Sequence, residues 1–507
     1  MSEARQQALE AWLTAGAGIG APAERRIDTP ISAVFLFRDK VLKLKKAVDF
    51  GFLDFTTLDQ RRWAVGRELD MNRETAPDVY RAAYAIVARD DGFALAPFET
   101  EGAIDYVLEM RRFDETAVLS ECPERVDGAL AEQLGRTISR FHIKARLGAA
   151  GGGAAGSRYV MDSNAGLMRG LADEVSGVLD PAAVERALAA TEAAFASVET
   201  LLDQRLAGGF VRACHGDLHL GNIVLEGERP ILFDRIEFND KLIEIDVLYD
   251  LAFLLMDLDF RGRRGEANRA FNAWLDEAAR GFGDALFTGL AALPLFLAIR
   301  AAVRCHVAGH NNAPDAARAY LAAAEAHLQP CAPQLIAVGG LSGSGKSTVS
   351  RALAPSLGGA PGAVVLRSDE LRKRLWGCDP LTPLPPEAYG PGESERVYAE
   401  MRRLAGLCLA AGRSVILDAV HLKAEEQTAA EALARAHGVP FQGLWLEAPA
   451  EVLRERVGAR TGDASDADIS VLEGQLRLTA PETTWRRVQA TTASDSLLRL
   501  ITPEGGT

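Results

Sequence analysis

Cysteine is scarce in this chain. The six in 507 residues are Cys122, Cys214, Cys305, Cys331, Cys378 and Cys408, and no two of them form a C-x-x-C pair. That scatter excludes a disulfide framework and a cysteine-based zinc site, and it fits reduced thiols in a cytosol. Positive charge is also short. Fifty-six Lys and Arg stand against 70 Asp and Glu, a net charge of −14. This balance argues against a general binder of nucleic acid or of anionic membranes. It does not exclude ATP, because local Lys, Arg and Mg²⁺ neutralise phosphates. The first residues, MSEARQQALEAWL, lack a basic stretch followed by an apolar run, so no signal peptide is expected. No internal repeat is visible. A long hydrophobic run is missing as well. The most apolar stretch, 286–303, contains Gly289, Pro294 and Arg300 and is short for a bilayer. It reads as a buried helix, with Arg300 and Arg304 suited to its end. Apolar residues make up 48% and charged residues 25%, as in soluble globular proteins. The length calls for two or three domains.

What the chain does have is VGGLSGSGKSTVS at 338–350. Gly340-x-x-x-x-Gly345-Lys346-Ser347 is the P-loop spacing. Ser342, Gly343, Ser344 and Gly345 are small enough for consecutive backbone N–H groups to turn inward around an anion. A helix starting at Thr348 aims its positive end at the same phosphates. Lys346 reaches the β- and γ-phosphates in this reading, and the Ser347 hydroxyl ligates Mg²⁺. An apolar run at 335–338 and helical spacing over 348–357 supply the strand–loop–helix order that the mechanism needs.

Along the chain, 32–44 reads as two strands turning at Arg38-Asp39-Lys40, 58–72 as a helix, and 80–87, 93–98 and 104–110 as strands. The pattern then turns helical, at 126–145 and, after Asp180-Pro181, at 181–207. Residues 148–156, GAAGGGAAG, read as a mobile low-complexity loop. Short strands at 223–225 and 230–233 precede further helices over 247–328. Residues 329–333, QPCAP, read as a domain linker. Beyond it, strands at 335–338, 363–366, 414–417 and 441–446 alternate with helices near 347–357, 393–411 and 424–437. This alternation implies a parallel sheet with ligands at the carboxyl ends of its strands.

A second polar constellation lies at 214–234. His215-Gly-Asp217-Leu-His219-Leu-Gly-Asn222, followed by Asp234, offers one carboxylate for a hydroxyl proton and two oxygen ligands for Mg²⁺. His-x-Asp-x-x-x-x-Asn with a later Asp resembles the aminoglycoside phosphotransferase family, whose domain is protein-kinase-like. The resemblance implies that Asp217 is the catalytic base, that Asn222 and Asp234 bind metal, and that Asp250 braces the catalytic loop. It further implies that Lys43 binds phosphate with Glu68 as its helix partner, Lys45 being the alternative on the same strand face. Residues 110–113 become the adenine hinge. His215 reads as structural rather than as a zinc ligand with His219, and His142 as a core or capping histidine. Two departures stand out. Thr29-Pro-Ile-Ser32 occupies the place of a glycine-rich loop, and Arg235-Ile-Glu237 follows Asp234.

The P-loop half resembles small P-loop kinases of the gluconate-kinase, zeta-toxin and polynucleotide-kinase type. By that resemblance Asp369 holds and deprotonates a substrate hydroxyl, with Arg372 nearby. A helix cap at Ser368 or Asp369 is the plainer reading of the same residues. Asp418 resembles a Walker B-type carboxylate on Mg²⁺. Arg454, Arg456 and Arg460 resemble a lid over the transferring phosphate, with a solvated basic helix face as the alternative. Residues 461–468 suit a movable loop, and 378–392 a substrate pocket.

The expected architecture is an α+β protein-kinase-like bilobal domain, then an α/β P-loop NTPase domain with a parallel sheet. The first spans 1–330, with a small lobe at about 25–112 and a large lobe at about 113–328; the second spans 334–507. The expected activity is ATP- and Mg²⁺-dependent phosphoryl transfer to a small-molecule hydroxyl, in the cytoplasm, with no stable nucleic-acid partner and no membrane. Alternatives are a P-loop kinase regulated by a weakly catalytic first domain, and a polynucleotide 5′-hydroxyl kinase.

Overall fold

Alternation in 32–45 sends odd and even residues to opposite faces of a strand pair. Ser32–Leu36 and Lys40–Lys45 pair antiparallel, with Val34 opposite Lys43. The computed structural model describes residues 3–490 apart from 52, 91, 174–177, 461 and 479–482. It sets this pair in a six-stranded antiparallel sheet. Across the sheet run Arg25–Asp28, Ser32–Leu36, Lys40–Lys45, Ala103–Arg111, Tyr80–Arg89 and Gly92–Pro97. Phe35, Leu42 and Leu44 pack on Leu9 and Leu13 of the Glu3–Thr14 helix. Leu36, Val41 and Leu108 pack on Val65 and Leu69 of the Leu58–Arg73 helix. Lys43 and Lys45 share the Val41 face, so both point towards that second helix. Its start is fixed by a capping box between Thr57 and Gln60.

The chain divides into two compact units. The first holds Met1–Val126, Ala145–Gly156 and Val211–Asp250. Besides the sheet it contains the hairpin Ile223–Glu226 with Arg229–Leu232, and Val211–Ala213 paired with Glu244–Asp246. The glycine-rich stretch at 148–156 is not a slack loop. A Cβ on Gly151 would lie 2.0 Å from the Lys241 carbonyl oxygen, and one on Gly152 would lie 2.4 Å from Val211. The helix Gly153–Asp173 begins inside it. The glycines are there because backbone passes close to backbone, a demand that composition does not distinguish from flexibility.

The second unit holds Asp127–Lys144, Ser157–Phe210 and Leu251–Thr507. In it the helices Gly128–Lys144 and Arg264–Phe282 cross closely. A Cβ on Gly135 would lie 2.2 Å from the Ala270 carbonyl oxygen. The buried Trp274 Nε1–H donates to His142 Nδ1 at 3.1 Å, so His142 is a core residue. The apolar stretch lies in Ala285–His310, which is long and apolar enough to cross a membrane, but 78% of its most apolar 18 residues are buried within the protein. Arg300 does not end that helix. It sits in mid-helix, 5% exposed, with its guanidinium 4.6 Å from the Phe253 ring centroid.

The same unit carries a five-stranded sheet, parallel throughout. Its order is Val364–Arg367, Val415–Asp418, Leu335–Gly340, Phe441–Glu447, Arg486–Gln489. Leu335–Gly340, first of the five in sequence, is central, and its carboxyl end opens onto the P-loop. Ile336, Val338, Leu353, Ile416 and Leu444 form the core beneath.

Candidate functional site

In the first unit five charges meet under the sheet. Lys43 Nζ lies 2.7 Å from Glu68 Oε1 and 2.7 Å from Asp234 Oδ1. Lys45 Nζ lies 2.6 Å from Glu68 Oε2 and 2.6 Å from Glu237 Oε1. Glu68 is fully buried, Lys45 1% exposed, and Lys43 slightly more open at 12%. Burial works against the Glu68 carboxylate, but Lys43 and Lys45 outweigh it and hold its pKa below the ordinary range. Burial likewise opposes both ammonium charges; Asp234 and Glu68 more than restore that of Lys43. One glutamate thus serves two lysines, and only Lys43 also reaches Asp234. Removing one partner of a buried ion cluster costs about 3–5 kcal/mol. Glu68→Ala is therefore expected to destabilise the protein by about that amount, read from the urea midpoint, and to weaken nucleotide binding in this unit.

Asp234 has a left-handed backbone, φ 59°, a conformation that costs a non-glycine residue about 1–3 kcal/mol and is held at functional sites by its surroundings. The surroundings are specific. The Asp234 N–H donates to the Tyr80 hydroxyl at 3.0 Å, and the Arg235 N–H donates to Asn72 Oδ1 at 2.8 Å. Arg235 Nε donates to the Cys214 carbonyl at 2.7 Å. The residues that follow Asp234 are therefore anchors: Arg235 to the segment that carries Asp217, and Glu237 to Lys45.

The segment after Val211–Ala213 carries Asp217 and Asn222. Asn222 Nδ2 donates to the Asp217 carbonyl and to its Oδ2, both at 2.8 Å. That leaves the Asn222 carbonyl oxygen as the available ligand atom. Asp250 accepts the His215 N–H at 3.1 Å and the Gly216 N–H at 2.8 Å. His215 Nε2 lies 2.9 Å from the Phe233 carbonyl, and burial lowers its pKa, so the neutral ring donates there. His219 Nδ1 accepts the Gly221 N–H at 3.0 Å, while Nε2 lies 3.4 Å from Asp217 Oδ2. Oxygen donors from Asn222 and Asp234 fit a hard cation such as Mg²⁺. Thr29 to Ser32 form a tight turn: the Thr29 N–H donates to the Ser32 carbonyl, and the Ser32 N–H donates to Thr29 Oγ1, both at 2.9 Å.

In the second unit the P-loop takes the shape its glycines permit. Gly340, Gly343 and Gly345 have φ of 140°, 81° and 87°. A Cβ on Gly340 would lie 2.7 Å from the Leu446 carbonyl. Lys346 Nζ donates to the Gly340 and Leu341 carbonyls at 2.9 and 3.0 Å, so it is folded over its own loop. Burial pushes its pKa down against the pull of Asp418 and Asp369, and the charge of Arg460 adds to the lowering. Burial pushes the Asp418 carboxyl up, against Arg367, Lys346 and a hydrogen bond from the Ser347 hydroxyl. Asp418 Oδ2 and Ser344 Oγ are buried without a hydrogen-bond partner. Unmet oxygens are costly inside a protein, and these two suit a cation beside a phosphate. Thr348 is exposed at the start of the Lys346–Leu353 helix.

Asp369 lies in the first turn of Ser368–Leu375, at the end of the strand next to Asp418. Its neighbour Arg367 is 5% exposed. Arg367 lies 2.9 Å from Glu370, 3.0 Å from Asp463 and 3.6 Å from Asp418. Nothing in the local spacing separated it from the basic run Arg367–Arg374; its place beside Asp369 was the available signal. Arg372 packs against the 378–392 segment. Its Nη1 donates to the Ala388 carbonyl at 2.6 Å and its guanidinium lies on the Tyr389 ring, so it shapes the 378–392 segment. Asp466 ties that segment to the 462–468 loop through Lys373, Tyr389 and the Leu384 N–H. Thr461, where that loop was read to begin, lies outside the described residues.

The three lid arginines divide. Arg456 Nη1 lies 3.5 Å from the Gly343 carbonyl, over the P-loop. Arg460 Nη1 is buried without a hydrogen-bond partner. Arg454 instead pairs with Glu473 at 2.7 Å. On the Ala450–Gly458 helix a two-residue offset turns Arg454 about 200° away from Arg456, and Arg460 lies just past the helix end. Gln475, which no motif marked, accepts the Ser342 N–H at 2.8 Å.

Comparison with known proteins gives a family match in each half of the chain. The description Phosphotransferase enzyme family matches residues 56–286, and AAA domain matches 335–481. Uncharacterized proteins of Mycobacterium tuberculosis and Mycobacterium bovis are 30% identical over 461 residues, 88% of this chain and 88% of each relative. Among solved structures, a choline/ethanolamine kinase family protein from Mesorhizobium loti aligns at 16% identity and TM-score 0.39, over 64% of this chain and 95% of that one. A gluconokinase from Sinorhizobium meliloti aligns at 26% identity and TM-score 0.23, over 33% and 88%. An APS kinase of Mycobacterium tuberculosis, solved with AMPPNP and APS, aligns at 20% identity and TM-score 0.26, over 34% and 96%. With its kinase-like antiparallel sheet, its parallel P-loop sheet and these matches in this order, the chain is a phosphotransferase and belongs to the same two-domain family as the mycobacterial proteins, a phosphotransferase-family domain followed by an AAA domain.

Proposed function

We propose that the chain carries two separate kinase sites, each transferring the γ-phosphoryl group of ATP, with Mg²⁺, to a hydroxyl of a small molecule such as a sugar or an aminoglycoside-like metabolite. The domains in this reading run from 1 to 330 and from 334 to 507. The supporting observation is the duplication of parts. Lys43, Glu68, Asp217, Asn222 and Asp234 make one set. Lys346, Ser347, Asp369 and Asp418 make the other. In the first set Asp217 accepts the hydroxyl proton, Asn222 and Asp234 hold the cation, and Lys43 leaves Asp234 for the phosphates. In the second, the loop N–H groups and Lys346 hold the phosphates, Ser347 and Asp418 hold the cation, and Asp369 orients the hydroxyl. Mg²⁺ screens the phosphate charge in both. The scattered cysteines and acidic balance support a cytoplasmic activity on small molecules rather than nucleic acid. The test is ATP consumption across a panel of hydroxyl metabolites, with formation of the phosphate ester followed by mass spectrometry. Substrates whose turnover Asp217→Ala and Lys346→Ala remove separately support two sites. A single substrate set lost to both variants defeats the proposal.

Within the P-loop set, Arg456 and Arg460 close on the phosphates and Arg454 does not. Arg456→Ala and Arg460→Ala are each expected to lower kcat about 10- to 1000-fold, the scale of one stabilising donor at a developing charge. Arg454→Ala, which loses an exposed ion pair, should leave kcat within about twofold. Equal losses at all three positions would assign them a general basic-face role instead.

A second reading keeps the P-loop site as the kinase and makes the first domain a nucleotide-binding regulator. The closed Thr29–Ser32 turn favours it, since its N–H groups are spent internally. ATP binding lost in Glu68→Ala, with no Asp217-dependent turnover of any hydroxyl compound, would establish that reading.

A further inference from the structure

The P-loop sheet is seated on the crossing helices Gly128–Lys144 and Arg264–Phe282, both within the segment matched to the phosphotransferase family. The seat is polar and specific. Among the described residues the edge strand Val364–Arg367 has no strand neighbour on its outer side. Its Val365 N–H donates to Asn272 Oδ1 at 2.7 Å, and Asn268 Nδ2 donates to the Ala363 carbonyl at 3.0 Å. Two side chains one turn apart on Gly128–Lys144 then reach the two halves of the P-loop site. Glu132 Oε1 lies 3.2 Å from Arg351 Nη2, on the helix that follows the P-loop. Arg136 Nη2 lies 4.0 Å from Glu370 Oε1, and that same oxygen lies 2.9 Å from Arg367 Nη1. Arg367 in turn faces Asp418 and Asp463. Behind Arg136, Asp276 lies at 3.4 Å and Glu277 at 3.7 Å. The cavity between these side chains holds about 30 Å³, room for a single water.

We propose that Glu132 and Arg136 form a clamp that sets the spacing between the phosphate-holding helix and the Arg367–Asp369 strand end, making both of them positioning residues of the P-loop site. One ion pair leads to each side of that site from a single helical face. A shift of either side relative to the other alters how the hydroxyl carried by Asp369 meets the phosphate held by the loop. The clamp also gives the two domains a physical reason to be fused: the second domain's site borrows part of its support from the first. The inference rests on the P-loop half being a kinase site, as proposed above.

The test measures Lys346-dependent ATP turnover in the full chain carrying Asp217→Ala, which silences the other site. Arg136→Met is expected to lower kcat about 10- to 100-fold, the scale of a small misplacement of reacting groups. Nucleotide affinity should stay within about twofold because the loop itself is intact, and Arg136→Lys should restore most of the rate. Glu370→Gln is the second variant and keeps the proposal testable if Arg136→Met folds poorly. It should reproduce the loss, and the double variant should lose no more than either single one, as expected for one shared contact. Arg140→Gln breaks a pair with Glu277 on the same helix and should change nothing. Unchanged kcat in folded Arg136→Met and Glu370→Gln overturns the clamp, as do losses that multiply in the double variant. Turnover that survives Lys346→Ala overturns the reading of the site itself, and the clamp with it.

Discussion

Lys346→Ala is expected to abolish one of the two activities and spare the other. Lys346 is half-buried over its own loop, donating to two backbone carbonyls. Its ammonium has no competing carboxylate at salt-bridge distance among the described residues, so an incoming phosphate is its strongest available partner. The variant keeps the three left-handed glycines and the strand that feeds them, so the loop retains its shape. What disappears is a preorganised cation at the bond being broken, worth about 100- to 1000-fold in kcat. Lys346→Arg should not rescue it. A planar guanidinium is bulkier and presents its charge differently from the compact ammonium. Fluorescent-nucleotide binding would separate loss of affinity from loss of rate. Phosphorylation of the substrate assigned to Asp217 should stay within about twofold in the same preparation. If that activity also vanishes while circular dichroism and the urea midpoint are unchanged, the two sites are not independent.

How far the sequence led depended on whether chemistry was local. The P-loop was legible because its eight positions are consecutive and each has one physical requirement: glycine where φ is positive, lysine and serine where phosphate and cation sit. The strands of the parallel sheet were legible as short apolar runs, since a buried parallel strand is apolar on both faces. The edge strand Arg25–Asp28 was not, because RRID carries no apolar alternation. Arg486–Gln489, another edge strand, was hidden for the same reason.

The site residues follow the same division. Asp217, Asn222 and Asp234 announce themselves by spacing. The choice between Lys43 and Lys45 could not be read from a strand that puts both on one face. Geometry distinguishes them: both touch Glu68, but Asp234 meets Lys43 and Glu237 meets Lys45. Arg454 was grouped with Arg456 and Arg460 because the three lie within one short basic run. Helical phase places it on another side, against Glu473. Arg367 and Glu370 pair locally, but their links to Asp418, Asp463 and Arg136 were invisible because those partners are far away in sequence. A long-range ion pair leaves no local pattern, and such pairs are what join the P-loop sheet to the helices before it.

Asp217→Ala is expected to be the mirror image of Lys346→Ala. Asp217 is held by Asn222, which donates to both its side chain and its backbone carbonyl, and its loop is held by Asp250 through two N–H groups. The carboxylate is 38% exposed, open to a hydroxyl from solvent. Removing a positioned proton acceptor costs about 100- to 10,000-fold in rate. Binding of ATP should be little affected, since Lys43, Glu68 and Asp234 keep their contacts. Asp217→Asn is the weaker test: its amide would set N–H against the Asn222 N–H, disturbing the loop as well as removing the base. Asp250→Asn supplies the contrast. It keeps Asp217 but leaves one of two buried N–H groups without an acceptor, so it should lower stability and rate together, whereas Asp217→Ala lowers rate alone. Lys346-dependent turnover should persist in Asp217→Ala. Full Asp217-type activity remaining in that variant would remove Asp217 from its role as base and turn the first domain into the regulator of the second.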